Sequence, residues 1–351
     1  MFNRIGLIAL LTVLLAACGG QPATPPATPA APAATTPAAT SAAPTTGLRK
    51  ITLAMSYIPN VQFAPYYVAA QKGYFAAQGL DVTFDYNFEN DVVQRVATWP
   101  EGQVAFATAS GTSTLLARQQ GLPVKTVLTL YQEFPVVFFA KHATGLKSAA
   151  DLVGKTVGIP GNFGESLYGL LALRYANKLD EAAFTVQEIG FTQAQAVLEN
   201  KVSVAIGYAM NEPMILRQQG EQVDVLRVAD VYNLAANGIV ASEKLIAEDP
   251  AVVRGFIAAT LKGLRDTLAN PDEAYKISLT FIPEAKLGDP SLQRQVLQES
   301  LPYWHSAQTD TEGLGYTDAK VWAQTEQFMR DAKLLSGAVE VSQAFTNEFI
   351  K

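Results

Sequence analysis

The chain has 351 residues, with 26 Lys and Arg against 32 Asp and Glu, and its net charge of −6 comes without a basic cluster. That balance removes the electrostatic footprint of a nucleic-acid binder and argues against docking on anionic lipid. One cysteine and two histidines, His142 and His305, exclude by count a disulfide framework, a zinc site built on several His and a Cys-His catalytic pair in the folded body.

Arg4 precedes an apolar stretch from Ile5 to Ala17 that is too short to span a bilayer. A weakly positive start, an apolar run and small residues before a cut form a secretory signal. The ending Leu15-Ala16-Ala17-Cys18 resembles a bacterial lipobox, which implies removal of residues 1–17, lipid on the Cys18 sulfur and an extracytoplasmic, membrane-anchored product. Residues 19–47 consist of Ala, Pro, Thr, Gly, Ser and Gln without charge. They cannot bury a core, so 18–47 reads as a lipid-anchored tether, semi-extended where Pro is dense. The remainder, about 300 residues, exceeds what one compact core serves and predicts two lobes.

From Lys50 short apolar runs alternate with helical stretches, the α/β pattern. Strands are predicted at Ile51 to Met55, Asp81 to Asp85, Val104 to Ala107, Val124 to Leu130 and Pro135 to Ala140, with a turn at Tyr57-Ile58-Pro59-Asn60 and a helix from Ala64 to Gln71. Ser110-Gly111-Thr112-Ser113 supplies a helix cap before Leu115 to Gln120. A second unit opens with a capped helix at Ser148 to Leu152 and a strand at Thr156 to Ile159. The turn Pro160 to Ser166, rich in Gly, then leads into a helix from Leu167 to Asn177, an order that aims backbone N–H groups into the turn. Val186 to Gly190, Val202 to Gly207 and Val223 to Val228 complete a smaller sheet. Near Asn237 to Ala241 the chain crosses back, and helices follow at Pro250 to Asn270, Pro271 to Phe281, Pro290 to Tyr303 and Thr317 to Leu335. Lobe 1 is thus assigned to 48–138 and 239–351, and lobe 2 to 139–238. Two crossings make a hinge over a cleft.

Several segments, in order, resemble substrate-binding proteins of ATP-driven (ABC) importers: Tyr57 to Asn60, Tyr66-Tyr67-Val68-Ala69, Lys72-Gly73-Tyr74-Phe75, Gly79-Leu80-Asp81-Val82, Leu116-Ala117-Arg118 with Gly121-Leu122-Pro123-Val124, Asp151 to Gly158, and Val204 to Gly207. The resemblance covers nearly all of the folded body. It is closest to the branch of sulfonate-binding and thiamine-pyrimidine-precursor-binding proteins. It implies a periplasmic-binding-protein type II fold, two α/β lobes around a ligand cleft, and delivery of a small molecule to an ABC permease and, through it, an ATPase subunit. A monomer without cofactor or metal is expected.

The segments that this fold places at the cleft contain no Lys or Arg. Helix N-termini alone can hold an anion, but charged partners are the commoner solution, so a neutral or cationic ligand is favoured over a sulfonate. The same segments are rich in Tyr, Phe, Asn, Gln, Ser and Thr, which suit a planar heterocycle with a polyhydroxylated tail. In the thiamine-precursor branch a His stands three residues after Pro-Asn. Here that position is Phe63, which counts against pyrimidine binding and against the related pyrimidine synthase. The run Pro59 to Pro65 resembles riboflavin-binding members, and riboflavin, as cargo rather than cofactor, is the expected ligand. Tyr57, Phe63 and Tyr66 are candidates to stack on the ring. Asn60, Gln62 and Asn87 are candidates for its polar edge or tail, with Ser110, Gly111 and Thr112 at a helix start. Lobe 2 adds Asn162, Phe163, Glu165, Tyr208 and Asn211. Asn60 can equally cap the following turn, and Glu165 can equally be a carboxylate favoured by a helix dipole. A thiamine-related aminopyrimidine, the alternative ligand, would need Glu165, Glu89 or Glu212 in contact. An enzyme would need a pair such as Glu133 with Glu165, or Lys141 or Lys155. A lipid-anchored sensor or adhesin would have the same sequence features.

Overall fold

Leu53, Ala54 and Met55 are buried at the end of Arg49–Met55, and this segment forms strand β1 of the computed structural model, which describes residues 47–86, 89–101, 103–283 and 288–351. In chain order β1 is followed by β2 (Leu80–Tyr86), β3 (Val104–Ser110), β4 (Val124–Thr129), β5 (Val136–Lys141), β6 (Thr156–Ile159), β7 (Thr185–Glu188), β8 (Val204–Tyr208), β9 (Val223–Arg227) and β10 (Asn237–Ser242). They make two five-stranded sheets, ordered β2-β1-β3-β10-β4 and β7-β6-β8-β5-β9. In the first, β1 is parallel to β2 and β3 while β10 runs antiparallel to β3 and β4. In the second, β6 is parallel to β7 and β8 while β5 runs antiparallel to β8 and β9. Each sheet therefore has one reversed strand, and it is the strand by which the chain enters from the other sheet.

Every residue of β3 is buried, as expected of a central strand covered by helices on both faces. One covering layer is built by the helices Ala64–Gln71 and Pro250–Ala269. Pro65 starts the first, and Pro250, following the N-cap Asp249, starts the second. They approach closely at Gly263, where a Cβ would collide with the Pro65 carbonyl oxygen and lie 2.9 Å from Ala69 Cβ. Phe106 of β3 stacks on Phe256 of the second helix, with ring centroids 4.0 Å apart. The predicted helix from Pro290 to Tyr303 stops at Ser300 and tightens to a 3₁₀ turn over Leu301–Trp304, because Pro302 offers no amide hydrogen to continue it.

The chain passes from the first sheet to the second between Thr129 and Val136 and returns between Arg227 and Asn237. Boundaries drawn after residues 138 and 238 fall inside β5 and β10. Both strands are continuous buried runs, so hydropathy carries no mark of the change of sheet. Among the described residues no helix is long and apolar enough to cross a membrane. Cys18, the signal 1–17 and nearly all of the tether lie outside the described residues.

Candidate ligand-binding cleft

In open α/β sheets the carboxyl ends of the parallel strands, where strand order reverses, are where ligands are held. Here β1, β3, β6 and β8 end at one cavity lined from both sheets. After β1 come Ser56 and Tyr57, then Gln62, Phe63 and Tyr66; β3 contributes Thr108 and β4 is followed by Leu130 and Tyr131. The second sheet presents Pro160, Phe163, Glu165 and Ser166 after β6, Phe191 and Gln193 after β7, and Tyr208, Asn211 and Glu212 after β8. No Lys or Arg is among these described lining residues.

One wall is aromatic through Tyr57, Phe63, Tyr66 and Tyr131. Phe63 and Tyr66 have centroids 6.4 Å apart, tilted by 48°, and Tyr66 is essentially buried at 1 % exposure. Burial, with the nearby Glu212 adding to it, pushes the Tyr57 phenol up to about 12. Tyr57 is thus a neutral hydroxyl at any physiological pH. A polar seam joins the halves: Tyr131 Oη donates to Gln62 Oε1 at 3.2 Å, and Gln62 Nε2 donates to Asn211 Oδ1 at 3.4 Å. Tyr208 Oη donates to Asn237 Oδ1 at 3.4 Å.

Two carboxyls reach the cleft from the first turns of helices. Glu165, on Gly164–Asn177, is 4 % exposed, and its Oε1 accepts from Ser110 Oγ and Thr112 Oγ1 of the other half, each at 2.7 Å. Glu212, on Glu212–Gln218, accepts the Tyr208 amide at 2.8 Å. Its carboxyl lies so near Gly207 that a Cβ there would collide with it. Burial pushes Glu212 up to about 7, against the pull of its own amide and that of Tyr208. Because the native value lies above the unfolded one, the stability is fully present below the usual carboxylate range and falls as pH rises towards 7. Glu212→Gln keeps an acceptor for the Tyr208 amide and removes the charge. It is expected to raise stability at pH 8 by about 2 kcal/mol, discounted for partial exposure, and to leave it unchanged near pH 4. Urea denaturation at the two pH values checks this, and an equal effect at both would contradict it.

Of the residues singled out from sequence, Tyr57, Gln62, Phe63, Tyr66, Phe163, Glu165, Tyr208 and Asn211 line the cavity. Five others do not. Asn60 caps the 3₁₀ turn Val61–Phe63, accepting the Gln62 amide at 3.0 Å. Ser110 and Thr112 turn their hydroxyls to Glu165. The Gly111 amide donates to Ala235 O at 3.0 Å, and a Cβ there would collide with Ala235, so its glycine serves close packing. Asn162 is exposed and donates to Glu188. Asn87 and the Glu89 side chain fall outside the described residues. Glu133, half of the carboxylate pair considered above, is exposed and paired with Arg227, and Lys141 donates to Leu198 O at 2.8 Å.

Glu212, named above only for the alternative aminopyrimidine ligand, also lines the cavity, and Tyr131 and Asn237 line it without having been singled out from sequence. Phe191 and Gln193 had no signal: they follow β7, an edge strand whose loop looks like any surface turn.

The sequence matches the NMT1/THI5-like family over residues 60–274. It is 65% identical to the riboflavin-binding protein RibY of Chloroflexus aurantiacus, over 97% of this chain and 95% of that one. It is 23% identical to the 4-amino-5-hydroxymethyl-2-methylpyrimidine phosphate synthase of Legionella pneumophila, over 86% and 92%. Among solved structures, the periplasmic aliphatic sulphonate binding protein SsuA of Escherichia coli superposes with a TM-score of 0.65 at 13% identity, covering 85% of this chain and 92% of the other. The two share the periplasmic-binding-protein fold.

Proposed function

The chain belongs to the NMT1/THI5-like family, and from that premise we propose that it is an extracytoplasmic solute-binding protein that captures riboflavin in the cleft and passes it to an ABC permease. The observation that carries this reading is a cleft with aromatic side chains on both walls, amides and hydroxyls between them, and no cation among its described lining residues. A sulfonate would have to enter beside two carboxyls without a guanidinium or ammonium to pair with. A flavin presents a planar ring to the aromatic walls, neutral ribityl hydroxyls to Gln62, Asn211 and Asn237, and an edge carrying both an N–H donor and carbonyl acceptors. Glu212, titrating near 7, can donate or accept at that edge, and Tyr57 donates. The work assigned to these residues is binding; the pair Glu133 and Glu165 that acid-base chemistry would need is engaged elsewhere. Tyr57→Ala is expected to weaken riboflavin binding about ten-fold, the size of one lost aromatic contact, measured by quenching of flavin fluorescence. Unchanged affinity would remove Tyr57 from the ring site.

The lipobox and tether support anchoring at Cys18. Cys18→Ser is expected to shift the protein from the membrane to the soluble fraction of the producing cells, and retention in the membrane fraction would contradict lipid attachment.

A further inference from the structure

Phe163 and Phe191 are among the large apolar side chains most open to solvent, at 45% and 61% exposure. Isolated exposed apolar residues need no explanation. These two are not isolated: their centroids are 6.3 Å apart with a 55° tilt, and both line the cleft. They sit on different loops, after β6 and after β7; two hydrogen bonds hold the loops together and a third shapes the second loop. The Ile189 amide donates to Ile159 O at 2.9 Å. Asn162 Nδ2 donates to Glu188 Oε1 across the gap. Thr192 Oγ1 donates to Ile189 O at 2.6 Å and tightens the turn beneath Phe191. Backbone choices fit the same end. Gly190 has φ +61, a conformation that side chains resist, and a Cβ at Gly161 would collide with the Phe163 ring, which lies over that glycine.

We infer that Phe163 and Phe191 form a preorganised aromatic lip on the second-sheet side of the cleft, which takes up the apolar, benzenoid end of the ligand and so selects tricyclic flavins over smaller heterocycles. This rests on the riboflavin reading above. Tyr57, Phe63 and Tyr66 line the same cavity from the first-sheet side, so a planar ligand would meet aromatic rings from both halves. The polar partners Gln62, Asn211 and Glu212 are less exposed than the two phenyls, which leaves the phenyls for the end of the ring system without hydrogen-bonding groups. Asn162 is a positioning residue: it touches Glu188 and acts by holding one loop to the other.

The test compares two probes on the full chain: riboflavin, and dimethyl-ribityllumazine, which keeps the pyrimidinedione and ribityl parts and lacks the benzenoid ring. The double variant Phe163→Ala with Phe191→Ala should lose about ten-fold in riboflavin affinity, or about 1.4 kcal/mol, and less than about two-fold for the lumazine. Asn162→Ala, with both rings present, should show a smaller loss of the same selectivity. Both phenyls are largely exposed, so the variants should fold, and an unchanged unfolding midpoint verifies it. Equal losses for the two probes would overturn the inference, as would unchanged riboflavin affinity. Unchanged affinity with impaired uptake in cells would assign the lip to the permease instead. If the unaltered protein binds the lumazine and no riboflavin, the flavin reading fails and the lip with it.

Discussion

Gly263→Val is expected to cost about 3 kcal/mol of stability, at the upper end for overpacking, and to weaken riboflavin binding as well. The Cβ would strike the Pro65 carbonyl, a backbone atom, so relief requires moving the helix Ala64–Gln71 away from Pro250–Ala269. That helix carries Tyr66 and directly follows Phe63, both at the cleft wall. One substitution at a residue that does not itself line the cavity thus shifts the aromatic wall, and the affinity loss should be about ten-fold. Gly337→Val is the control. Nothing lies within 4 Å of a Cβ there, and its effect should stay within about 0.5 kcal/mol. Urea denaturation and flavin titration of the two variants check this; matching behaviour of Gly263→Val and Gly337→Val would contradict the packing argument.

Glu165→Ala should be as severe for a different reason. Glu165 accepts two short hydrogen bonds from the opposite half of the molecule, both within buried surroundings. Truncation removes those bonds and takes the acceptor away from the Ser110 and Thr112 hydroxyls, which together cost about 3 kcal/mol. The same change releases a tie across the cleft, so ligand should leave faster and bind about ten-fold more weakly. Glu165→Gln retains a carbonyl oxygen in the same place and should recover most of both effects. If alanine and glutamine variants behave alike, the carboxyl is not acting as the bridging acceptor.

Much of the fold was legible because local rules agreed with the final packing. Ala64–Gln71 and Pro271–Phe281 have the predicted limits, since Pro at the first turn fixes one end, and β6 runs over Thr156–Ile159 as predicted. Ser110 caps its helix as expected, accepting the Ser113 amide at 3.1 Å. The helices Gln193–Leu198 and Glu212–Gln218 escaped notice, because one or two turns give little periodicity to read. The cavity lining was legible where a turn directly follows a parallel strand, as at Tyr57, Phe163 and Tyr208. Sequence left two uses open where a hydroxyl or amide can turn either to a ligand or to a neighbouring group. Ser110 and Thr112 have the chemistry of ligand contacts, yet a carboxylate from a residue more than fifty positions away in sequence occupies them. Asn60 has the chemistry of a ligand contact too, but its side chain satisfies a nearby amide first. Phe191 needs the pairing of β6 with β7 to reach Phe163, and that proximity has no expression in local sequence.

The most direct test is an equilibrium titration of the purified protein with riboflavin, followed by flavin fluorescence, with an aliphatic sulfonate added in competition. Saturable quenching at one riboflavin per chain, undisturbed by the sulfonate, is the predicted result. Absence of quenching, or displacement of riboflavin by the sulfonate, would contradict a flavin cleft without cationic partners.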